Sequence, residues 1–212
     1  MNPAAELLHA TLLMLVGIAS AIWIGRARRG YGEPDQPALF CVLLAFSLAA
    51  GAGASAAARL ALGAESLEAE RWLLQATRLL GLPLVGAAAI CLARRWAWSR
   101  PTWGRIIIGL CAFFELARQL DWSAPYAFSL GLLAAAMVGY AGFVQWPARL
   151  QTAAGLAAGL ILAIAPVVRE IAPTFAFPLG LESLCLAVAI PLIGWLVLQL
   201  PGNTRQRAEA CG

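Results

Sequence analysis

The chain contains no lysine; all fifteen of its basic residues are arginine. That absence excludes chemistry built on a lysine amine, such as the Schiff base that holds retinal in rhodopsin-like proteins. Histidine is nearly absent too, with His9 alone in 212 residues. One imidazole cannot supply paired axial ligands to a haem, nor the several histidines of a membrane zinc hydrolase. The five cysteines, Cys41, Cys91, Cys111, Cys185 and Cys211, are odd in number and scattered. They form neither a disulfide framework nor a CxxC motif, and four of them sit in apolar segments as small packing residues. No metal and no cofactor is expected.

Charge is scarce as well. Charged residues make up 12% of the chain and hydrophobic ones 61%, whereas a soluble domain carries about 25% charge. A soluble fold of this size could not hide so much apolar surface, so lipid is the expected solvent. The formal charge of +4 is spread over membrane flanks, with no basic run interleaved with aromatics elsewhere. Nucleic acid is not an expected partner.

What is present is a series of apolar segments of membrane length: 7–25, 38–62, 72–93, 103–120, 124–143, 149–168 and 179–200. The expected fold is therefore all-α, a polytopic seven-helix transmembrane bundle forming a single domain. The first segment is preceded by Glu6 and no basic residue, and no small-residue cleavage site follows it. It reads as a retained helix rather than a signal peptide. The fourth segment, which carries Arg105, Glu115 and Arg118, is the least apolar.

Orientation follows from the arginines, because short loops rich in them stay cytoplasmic. Arg26, Arg28 and Arg29 after the first segment, Arg94, Arg95, Arg100 and Arg105 between the third and fourth, Arg149, and Arg205 and Arg207 in the tail all fall on one side. The other side carries Glu65, Glu68 and Glu70 against Arg71, and Arg169 cancels Glu170. The N-terminus is expected outside and the C-terminus inside a bacterial inner membrane. Trp23, Trp96, Trp98, Trp103 and Trp146 mark the inner interface and Trp72 and Trp122 the outer.

Small residues at four-residue spacing predict close helix packing within one bundle. The stripes are Ser47, Gly51, Ser55; Gly131, Ala135, Gly139; and Gly155, Gly159, Ala163. Pro83, Pro166 and Pro191 each free a backbone carbonyl and can bend the helix that holds them.

The informative feature is a set of ionisable groups inside the apolar segments, where a charge costs roughly 2.5 to 3.5 kcal/mol at a helix centre. At 1.5 Å per residue, Arg78 and Glu115 each lie about 9 Å below the outer boundary and Glu182 about 6 Å. Arg118, Asp121, Gln75 and His9 fall in the same outer layer. Cys111, Glu115 and Arg118 share one helix face, as do Arg71, Gln75 and Arg78, and Glu182, Cys185 and Ala189.

Three functions fit such a layer. In the first, Arg78 and Arg118 hold a small anionic or amphiphilic ligand in a pocket open to the periplasm, with Glu115 or Glu182 taking a cation or proton. Arginine suits this because its planar fork grips carboxylate or phosphate in bidentate fashion. In the second, the protein is an enzyme on a lipid-linked substrate, with Glu115 or Asp121 as general base and His9 as a second acid or base. In the third, the charges only fix helix register in a scaffold or accessory subunit. The span count matches that of three-plus-one-plus-three sugar transporters. Without internal prolines in the first two helices or a repeat between the halves, however, it assigns no family.

Overall fold

A computed structural model describes residues 3–62, 67–120, 122–171 and 178–210. Those residues form seven long helices and no strand. They are α1 (Pro3–Ala27), α2 (Gln36–Leu62), α3 (Leu67–Arg94), α4 (Arg100–Gln119), α5 (Ser123–Phe143), α6 (Arg149–Ile171) and α7 (Pro178–Ala210). Each coincides with one predicted apolar segment, extended by a few polar residues at its ends. α7 differs most, continuing through the arginine-bearing tail. Pro37, Pro101 and Pro125 fall in first turns, where a missing N–H removes no helical hydrogen bond.

Five of the helices, α1, α2, α3, α5 and α7, are long and apolar enough to cross a membrane. The chain is a membrane protein on that ground. The apolar part of α6, Arg149–Ile164, is shorter. α4 does not reach the same threshold because Arg105, Glu115 and Arg118 interrupt it.

α1 shows why lipid must surround the fold. Ala10, Leu13, Ser20 and Ile24 are buried, while Leu8, Leu15, Ile18 and Ile22 on the opposite face are exposed. Both faces are apolar, which in water would leave one of them uncovered.

The helices pack as a ring in the order α1, α2, α3, α5, α6, α7 and back to α1. α4 lies outside it, with only Trp103 and Ala117 buried among its residues. The large core side chains, among them Ile24, Leu39, Val42, Phe46, Leu84, Val138, Ile193 and Leu196, are gathered toward the arginine-rich end. The Tyr31 hydroxyl fastens that end by donating to the Leu198 carbonyl of α7 at 2.7 Å.

Small residues set the closest approaches. A Cβ on Gly155 of α6 would lie 2.4 Å from the Gly142 Cα of α5, and one on Gly159 would lie 2.7 Å from the Ala135 carbonyl oxygen. The predicted stripe of α6 thus packs on α5 at Ala135, and also at Gly142, which lies outside the predicted α5 stripe. The stripe on α2 requires correction. α1 meets α2 through Gly17 against Ala50 and through Gly53 against Ala10 and Met14. Ser47 is exposed, and Gly51 turns toward Leu73 of α3.

Candidate functional site

α3 is not a uniform α-helix: Thr77–Gly81 form a π turn, followed by Pro83. The Pro83 ring would crowd the carbonyl four residues back, that of Leu79, and widening the turn there relieves the clash. The Thr77 hydroxyl donates to the Leu73 carbonyl at 2.8 Å and closes the turn on its other side. Arg78 projects from this widened turn.

Its partner is Glu182 on α7. The Nε and Nη2 groups of Arg78 donate to the two carboxylate oxygens of Glu182 in the bidentate fork that makes such pairs strong. The two side chains are 20% and 15% exposed, so the pair is neither sealed in the protein nor freely solvated.

The pair forms one wall of a cavity of about 70 Å³ between α3, α5, α6 and α7. Its other walls are apolar, formed by Leu82, Ala127, Phe128, Leu162, Pro166 and Leu186. This is well above the roughly 10 to 15 Å³ that a cavity needs to hold one water, and leaves room for a few waters or for one small polar molecule. Pro166 Cγ would meet a Gly131 Cβ at 3.6 Å, so the proline of α6 and the small face of α5 shape the cavity together. Few polar groups on apolar walls is the usual make-up of a small-molecule site.

Glu182 also borders a second cavity of about 30 Å³, together with Leu13 of α1, Gly53 of α2 and Glu70 and Leu74 of α3. Here the Arg59 Nε of α2 donates to Glu70. Glu6 of α1 adds to the negative field at Arg59. Among the described residues of the ring, the polar layer therefore holds two arginine–glutamate pairs, with Glu182 bordering both cavities.

By sequence, Glu70 is only one of the acids on the outer side and Arg59 is not singled out; neither is among the candidate site residues, because both lie near helix ends. The available signal was their opposite sign on either side of the short connection between two antiparallel helices.

Of the described sequence-derived candidates, only Arg78 and Glu182 meet in the 70 Å³ cavity. Glu115 and Arg118 pair with each other on the exposed side of α4, at 2.6 and 2.9 Å, and the Gln119 amide donates to the same carboxylate at 3.0 Å. Arg118 lies 5.8 Å from the Trp72 ring centre, at the start of α3. Gln75 is half-buried and lines neither cavity. The His9 Nδ1 is enclosed and has no hydrogen-bond partner among the described residues. Asp121 lies outside the described residues. Among the described residues no three metal-ligating side chains converge.

Comparisons with protein-family models, with curated proteins and with solved structures find no match to this chain.

Proposed function

We propose that the protein binds or transports a small anionic or amphiphilic ligand through the Arg78 cavity, in a bacterial inner membrane that the helices cross seven times with the N-terminus outside. The observation that carries this reading is a bidentate arginine–glutamate pair walling a small apolar cavity in the acidic half of the bundle. The positive-inside rule places that half toward the periplasm. α4 and α6 complete the count as the less apolar spans.

Because Glu182 occupies the fork of Arg78, an anion can take that place only when the carboxylate is withdrawn or neutralised. Replacing Glu182 by glutamine removes the charge and leaves the fork of Arg78 open to an anion. The groups facing Glu182 are Arg78 and Glu70 from α3 and Cys185 from its own helix. Arg59 from α2 holds Glu70. The walls from α5 and α6 are apolar. Anion binding should therefore tighten when the charge of Glu182 is removed.

The test is thermal unfolding of purified protein with acetate, lactate and phosphate at pH 7.5. At least one of these should stabilise the wild type, E182Q should be stabilised more strongly by the same anion, and R78Q should lose the effect. An unchanged response in R78Q would refute the reading. A purely structural pair predicts no anion response in any variant.

A further inference from the structure

At the arginine-rich end, two surface cavities of about 510 and 390 Å³ adjoin between the end of α3 and the end of α5, sharing Arg94 and Tyr140. We infer that this groove is a binding site for one anionic phospholipid, whose phosphodiester sits on Arg94 and whose acyl chain follows the groove toward the membrane centre. The site is separate from the Arg78 cavity and does not depend on that cavity having a ligand.

Three observations choose the occupant. First, Arg94 is exposed, and among the described residues it pairs with no carboxylate; its guanidinium lies over the Tyr140 ring, 5.2 Å from the centre. A stacked guanidinium keeps its edge donors free to grip phosphate oxygens. Second, the rim carries Trp96 and Trp146, 52% and 65% exposed, the residue type that settles at headgroup depth. Third, below the rim the groove is apolar, with Ile90 and Met137 as walls. It reaches Ala87, seven residues and about 10 Å down the helix from Arg94.

A soluble anion such as phosphate fits only the rim and leaves this apolar floor empty. A phospholipid fills both parts. Arg105 and Arg149 at the same end add a positive field, which favours an anionic over a zwitterionic headgroup.

The experiment is thermal unfolding of the full chain in detergent with added phosphatidylglycerol, phosphatidylcholine or inorganic phosphate. Phosphatidylglycerol should raise the melting temperature by several degrees more than phosphatidylcholine, and phosphate alone should not reproduce the shift. R94Q should abolish the difference between the two lipids. R105Q, which removes an exposed arginine at the same end but outside the groove, should keep it. A87F, which fills the floor while leaving every charge in place, should lose the stabilisation by phosphatidylglycerol; it keeps the test valid if R94Q unfolds. Equal shifts from the two lipids, an undiminished preference in R94Q or A87F, equal loss in R105Q, or full reproduction by phosphate would each overturn the site.

Discussion

Arg78 and Glu182 lie 104 positions apart in sequence, yet each satisfies the other with two hydrogen bonds across the α3–α7 contact. Removing one partner leaves the other charge in a site only 15–20% exposed. R78M and E182L should each destabilise by about 2 kcal/mol, below the roughly 3 to 5 kcal/mol of a fully buried pair because some solvent reaches this one. The double substitution should recover most of that loss while abolishing anion binding. Chemical or thermal unfolding of the four proteins checks the cycle.

The Glu115–Arg118 pair should behave differently. It is local, spans one turn of α4, and is 43% and 50% exposed. Exposed pairs of this kind contribute little. E115Q and R118Q should leave the melting temperature and the anion response unchanged. A loss of anion response in either would return α4 to the binding site.

Gly155 and Gly139 should separate close contact from mere presence of glycine. A methyl at Gly155 collides with the α5 backbone, whereas one at Gly139 meets nothing within 4 Å. G155A should cost about 2 kcal/mol as the helices are forced apart. G139A should be neutral or slightly stabilising. Melting temperatures of the two variants, measured side by side, test the α5–α6 contact.

Arg95 ends α3 in the left-handed conformation, at φ 57°. Its N–H donates to the Leu92 carbonyl and that of Trp96 to the Cys91 carbonyl, closing the helix as glycine usually does. A β-carbon there costs about 1 kcal/mol, so R95G should be more stable than R95A by about that amount. Denaturant unfolding would show it as a higher midpoint at unchanged slope.

Y31F removes the 2.7 Å bond to the Leu198 carbonyl and should destabilise by about 1 kcal/mol. The loss should appear as faster amide exchange along the arginine-rich end of α7.

The sequence by itself determined the helical class, the boundaries of the helices to within a few residues at most ends, and which half of the bundle holds charge. These are local quantities. Hydropathy and length mark a segment, and 1.5 Å per residue converts position into depth. It was equally legible that α4 is the outlier, since Arg105, Glu115 and Arg118 lie within its own span.

Only the tertiary structure decided which charges meet. Arg78 and Arg118 belong to one layer by depth, but α3 turns Arg78 toward α7 while Arg118 pairs within α4. Direction around a helix axis depends on the crossings at Gly17, Gly53, Gly142 and Gly155, and on the π turn that shifts every residue after Thr77. A single residue added to a helical turn rotates the rest of the helix by about 100°, since 3.6 residues complete a turn. Composition and spacing therefore predicted a polar layer, and packing selected Arg59–Glu70 and Arg78–Glu182 as the pairs that build it.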